Sequence, residues 1–92
     1  MAFEWDEAKR LSNIAKHGLD FVLADEFDWD GAVIYPDLRR DYGESREIAF
    51  AEFRGRVHII VYVSRGEQIR LIGFRKANAR EVRRYEEEKA RS

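Results

Sequence analysis

No cysteine occurs among the 92 residues, so disulfides, a thiolate zinc site and a cysteine nucleophile are excluded, and a reducing cytoplasm is the simplest address. The longest apolar run, 59–63, is far too short to cross a bilayer. The opening MAFEWDEAKR carries charge too early for a secretory signal, so a soluble cytoplasmic protein with no membrane partner is expected. Glycine-rich phosphate loops, an H-E-x-x-H pair and a paired-aspartate motif are also missing. Neither a nucleotide cofactor nor a metal is therefore expected.

What is present suits one domain over 1–92, with a single core of two layers. Hydrophobic residues make up 45% and charged residues 38%, as in a folded, very soluble domain. The net charge of −1 conceals an uneven division: residues 1–53 hold 6 Lys/Arg against 13 Asp/Glu (−7), and 54–92 hold 11 against 5 (+6). A basic second half suits a protein that meets a polyanion on one face, and a solvated, salt-bridged surface explains the same counts equally well.

Asp6 precedes a helical pattern that puts Ala8, Leu11, Ile14 and Ala15 on one face, and Gly18 follows as a left-handed C-cap, so a first helix is predicted over 6–17. Asp20 can cap a second short helix that carries Leu23, Ala24 and Phe27 inward and ends near Asp28. Trp5 and Trp29 bracket this pair and read as core edges. Residues 32–35 are β-prone and stopped by Pro36, as an edge strand would be, while DLRRDYGES over 37–45 reads as an exposed loop able to touch a ligand. Strands are predicted over 46–53, 57–63 and 68–74, with tight turns at Arg54-Gly55 and 64–67. Strand 57–63 is apolar on both faces and belongs at the centre. Asn78 and Glu81 have capping-box spacing, and Ala79, Val82 and Tyr85 continue as a narrow apolar stripe, so a last helix opens there. The fold class is α+β: two N-terminal helices, a four-stranded antiparallel β-meander and a C-terminal helix.

A meander brings the end of the fourth strand beside the start of the third and the turn after the second. Arg54, Arg56, Arg75 and Lys76 should then gather at one end of the sheet, with Arg80 one helical turn away and His58 just inside. Such crowding calls for an anionic partner, and guanidinium groups forking onto phosphate oxygens provide one solution. Metal-free RNA cleavage would need the 2′-hydroxyl deprotonated, the scissile phosphate neutralised and the 5′-oxygen protonated. Cations serve the second task. His17, His58, Tyr62, Tyr85 and several carboxylates are open to the proton transfers, and spacing does not choose among them. His17 is equally explained by a helix C-terminus, and His58 by a satisfied position at the core edge.

Several segments together resemble the BrnT toxins of bacterial type II toxin-antitoxin systems, a branch of the RelE/ParE-like fold. They are FEWDEAK over 3–9, NIAKHGLDF over 13–21, Arg46 opening a strand, VYVSRG over 61–66, and the ending R-K-A-N-x-R-E-x-x-x-Y over 75–85. The resemblance implies a metal-free ribonuclease that halts translation, with a BrnA-like antitoxin and RNA as partners and operator DNA reached only through the antitoxin. By position the resemblance matches Lys16, His17 and Gly18 and then Arg75, Lys76, Arg80, Glu81 and Tyr85, which makes His17, Arg75 and Arg80 the catalytic candidates; the RNA contacts expected beside them are Arg46 and the cluster at the sheet end, Arg54, Arg56, His58 and Lys76. Gly73-Phe74 departs from the small pair, such as Ser-Ala, expected before the arginine. Related toxins act on DNA gyrase instead, so a non-catalytic toxin acting on a protein, or a plain nucleic-acid-binding module, are the competing readings.

Arg80 and Val82 separate function from folding. A cation in the first turn of a helix opposes the helix dipole, so Arg80→Ala should leave the melting temperature almost unchanged while weakening growth arrest. Val82→Ala should destabilise by roughly 1 to 2 kcal/mol through lost burial and remain toxic while folded. Thermal melts beside growth-arrest assays check both; a poorly folded but fully toxic Arg80→Ala would make Arg80 a structural residue.

Overall fold

The computed structural model describes residues 2–91. Nine elements follow one another: β1 (Ala2–Trp5), α1 (Glu7–His17), 3-10 helices over Phe21–Glu26 and Trp29–Gly31, β2 (Val33–Pro36), β3 (Arg46–Phe53), β4 (Arg56–Arg65), β5 (Gln68–Lys76) and α2 (Ala79–Arg91). The strands form one sheet in the order β1-β5-β4-β3-β2. Strands β2 to β5 are the expected antiparallel meander, with β4 at the centre. The Arg54-Gly55 connection has φ of 51° and 77°, the left-handed pair that lets a two-residue hairpin match the twist of its strands.

The expected four strands become five. Residues 2–5 pair in parallel with β5, Phe3 opposite Ile69 and Trp5 opposite Leu71. Four residues without a neighbouring turn carry almost no local strand signal, and their partner lies more than 60 positions away in the sequence. The second predicted helix is a 3-10 helix, opened by Asp20, whose carboxylate accepts from the Val22 amide at 3.1 Å.

The sheet is covered on both faces, so the single core expected from length is divided in two. On one face Phe21, Ala24 and Phe27 meet Phe53, Ile60, Leu71 and Phe74, flanked by the partly buried Trp5 and Trp29. On the other, Tyr85 and the half-buried Val82 of α2 pack on Phe50, Val57 and Ile59. Parallel alternation of β4 side chains, Ile60 and Tyr62 to one cluster and Ile59 to the other, follows from the period of two along a strand.

Helix α1 departs from the predicted amphipathic docking. Leu11 is 54% exposed and Ala8 and Ala15 are also exposed, whereas the buried residue of α1 is Asn13. β1 covers the edge of β5 only as far as Leu71, and past it the backbone of Phe74 faces α1. There the Asn13 amide acts as a substitute strand. It accepts from the Phe74 N–H at 3.0 Å and donates to the Phe74 carbonyl at 2.8 Å and to the Leu19 carbonyl at 2.9 Å. A buried backbone group left unpaired costs about 1–3 kcal/mol. Asn13→Ala, which strands two such groups on Phe74, should therefore lose roughly 2–4 kcal/mol in a denaturant titration, with faster amide exchange at Phe74. A variant as stable as wild type would show that water replaces the amide.

Candidate active site

β5 runs into α2 across only Ala77 and Asn78. The predicted capping box is formed reciprocally: the Glu81 amide donates to Asn78 Oδ1 at 2.9 Å, and the Asn78 amide donates to Glu81 Oε1 at 2.9 Å. The same carboxylate accepts a bidentate fork from Arg75, at 2.8 Å to each oxygen. Arg75, as the first influence, and the Asn78 amide hold the Glu81 carboxyl below the usual carboxylate range, and Glu81 in turn raises the Arg75 pKa. Both stay ionised at neutral pH.

This joint forms one wall of an open cavity of about 520 Å3. Its floor is the apolar sheet face of Ile48, Phe50, Ile59 and Val61, and the opposite wall is the segment from Tyr35 to Arg39. Four arginines, Arg39, Arg75, Arg80 and Arg84, line it against two carboxylates, Asp37 and Glu81. Both carboxylates are already engaged. Asp37, whose side chain is fully buried, accepts from Arg39 Nε at 2.8 Å and from the other end of the guanidinium at 2.7 Å. That pairing holds the Asp37 carboxyl down at about 2. Arg84 lies over the Tyr35 ring at 3.7 Å from its centre, a cation–π contact that fixes the guanidinium on the cavity rim. Arg80 is exposed, and among the described residues it has neither a hydrogen bond nor an ion pair. The Tyr35 hydroxyl is buried with no protein partner. Two positive charges are thus left over around an apolar floor, an arrangement that favours a ligand with both phosphate and base or sugar surface.

The sheet sorts the sequence-predicted residues into three places. Arg75 and Arg80 line the cavity. Lys76, Arg56 and His58 share the strand end with Arg75 but point to the opposite face: Lys76 pairs with His58, and Arg56 with Phe53 of the first cluster. His58 is 4% exposed, packed between Phe53 and Phe74, with Nδ1 2.8 Å from the Arg56 carbonyl. Burial, above all, lowers its pKa. Arg54, also on that side, is bound to Glu26 at 2.9 and 3.0 Å. Arg46 stands at the other end of β3, its guanidinium 3.9 Å from the Tyr42 ring centre, over a smaller hollow that shares Pro36, Asp37 and Leu38 with the cavity. His17 opens onto a separate groove between α1 and β5.

Arg39, Arg84, Tyr35 and Asp37 complete the cavity without having been singled out. The loop 37–45 was legible as a segment able to touch a ligand, but its fold over the sheet face depends on the Asp37 amide donating to the Arg46 carbonyl at 2.8 Å and on the Asp37–Arg39 pair. Among the described residues no three His, Asp or Glu side chains are grouped as a cation site.

A comparison with curated proteins finds no match. A family model described as "Ribonuclease toxin, BrnT, of type II toxin-antitoxin system" matches residues 5–81, from the end of β1 through the sheet to the Glu81 that closes the cavity joint. With that match over most of its length, the chain belongs to the BrnT family of ribonuclease toxins of type II toxin-antitoxin systems.

Proposed function

We propose that this toxin cleaves RNA at the arginine-lined cavity without a metal ion, and arrests translation in the cytoplasm by doing so. The observation that carries the reading is the uncompensated pair of positive charges around an apolar floor: four arginines, two carboxylates, both carboxylates already ion-paired. As the 2′-oxygen attacks, the phosphate passes through a more negative, five-coordinate state, and preoriented cations in a partly desolvated cavity favour that state over the ground state. Arg75, locked by Glu81, is the preoriented cation; Arg80, without a protein partner, is the one able to follow the developing charge. Neither histidine faces the cavity, since His58 is buried on the opposite face and His17 opens elsewhere, so what the cavity itself supplies to the reaction is charge stabilisation. The helix-flanked meander also supports the RelE-like architecture that the family resemblance implies.

As a type II toxin, the chain has an antitoxin partner by family. We further assign that role to a BrnA-like protein which inserts an acidic segment at the cavity, because occupying the two spare arginines neutralises charge and blocks RNA together.

Purified toxin incubated with total RNA in excess EDTA should cleave it, and Arg80→Ala should reduce the rate by about 10²–10³-fold, the usual loss for removing one charge-stabilising donor. Arg80 is a cleaner probe than Arg75, whose removal also frees Glu81. RNA left intact beside continued growth arrest would instead favour a protein target such as DNA gyrase. For the partner, the expected outcome is that the cognate antitoxin suppresses cleavage and slows exchange at Arg75 and Arg80, with association weakened by salt more than the finished complex. An antitoxin that bound only the acidic helices and left cleavage unaffected would rule out occlusion.

A further inference from the structure

A second concavity, of about 260 Å3, lies between α1 and β5, lined by Lys9, Asn13, Lys16 and His17 on the helix and by Ile72 and Gly73 on the strand. With Ser12, these helical positions recur at intervals of three and four, so a single stripe of α1 faces the strand. No acidic residue lines this groove, although α1 lies in the half of the chain that carries −7. Among the described residues neither Lys9 nor Lys16 has a hydrogen bond or ion pair.

The groove and the cavity are neighbours on one face of the sheet. Val61, on the cavity floor, pairs directly with Gly73, on the groove floor, and residues opposite one another on paired strands project to the same side. Arg75, two residues beyond Gly73, stands in the cavity. The fold does not require glycine at 73. Its φ lies outside the left-handed region, and an added Cβ would meet only Asn13 Oδ1, at 4.0 Å. A β-branched residue would strengthen the strand there. Residue 73 therefore places no side chain between Val61 and the groove.

We propose that a single-stranded RNA continues from the cavity over Gly73 into this groove, where Lys9 and Lys16 contact its phosphates beside His17. The groove is then a substrate-binding extension that favours longer RNA; the inference rests on the nuclease reading. Its test compares cleavage of a ten-nucleotide single strand with that of a dinucleotide over a range of salt concentrations. Wild type should prefer the ten-mer. Lys9→Gln/Lys16→Gln should shrink that preference and flatten the salt dependence of log(kcat/KM) for the ten-mer by roughly 1.4, about 0.7 for each phosphate contact on a single strand. Gly73→Val should shrink the same preference while melting no lower than wild type, so that loss of fold is not the cause. A double variant with wild-type salt slope and ten-mer preference would overturn the groove while leaving RNA cleavage standing. Wild-type protein that left both RNAs intact would overturn the nuclease reading and the groove with it.

Discussion

Glu81 receives both arms of Arg75 and the amide of Asn78 on one carboxylate, so a strand end, a two-residue link and a helix start are held by a single side chain. The constraint acts at two levels. It satisfies a donor that every helix N-terminus leaves exposed, a contribution of about 1 kcal/mol in typical caps. It also sets the direction of the guanidinium over the sheet face, without which the cavity would hold a mobile arginine of lower electrostatic value. Because the joint is only two residues long, the aim of Arg75 and the angle at which α2 leaves the sheet are determined together.

The sheet acts as a partition. β4, apolar on both sides, feeds one cluster under the 3-10 helix and another under α2, and consecutive residues of β5 consequently serve different surfaces. Lys76 and His58 fall on one side, Arg75 on the other. On the side that holds the first cluster Arg54 is paired with Glu26, and the histidine is kept inside the aromatic packing of Phe53 and Phe74. On the other side the cavity gathers four arginines against two carboxylates. Mutual repulsion among Arg39, Arg75, Arg80 and Arg84 is tolerable because two of them are paired and one is spread over Tyr35, and the lining keeps a net positive charge.

The edge of β5 shows how a small domain completes a sheet with little chain. β1 supplies four residues of pairing and then turns into α1, whose Asn13 takes over as donor and acceptor for Phe74. The amide makes α1 an extension of the sheet edge, which explains why Leu11 can face solvent while a polar residue is buried. It also sets the basic stripe of α1 along the strand beside Gly73.

Local chemistry determined a large share of this protein from the sequence by itself. The capping box at Asn78 and Glu81, the Gly18 cap, the Arg54-Gly55 hairpin and the apolar β4 each depend on residues within a few positions of one another, and each is formed as expected. Arg75 and Arg80 were legible for the same reason, since they flank that capped joint. Tertiary structure alone decided the rest. β1 depends on a partner more than 60 residues away; the burial of Asn13 depends on where β1 stops. The side of the sheet reached by Arg39, Arg84 and Tyr35, and denied to His58 and Lys76, depends on strand register and on a loop held by its own Asp37–Arg39 pair. Alternation along a strand tells neighbouring residues apart, but which face carries the site is set only when α2 and the loop close over it.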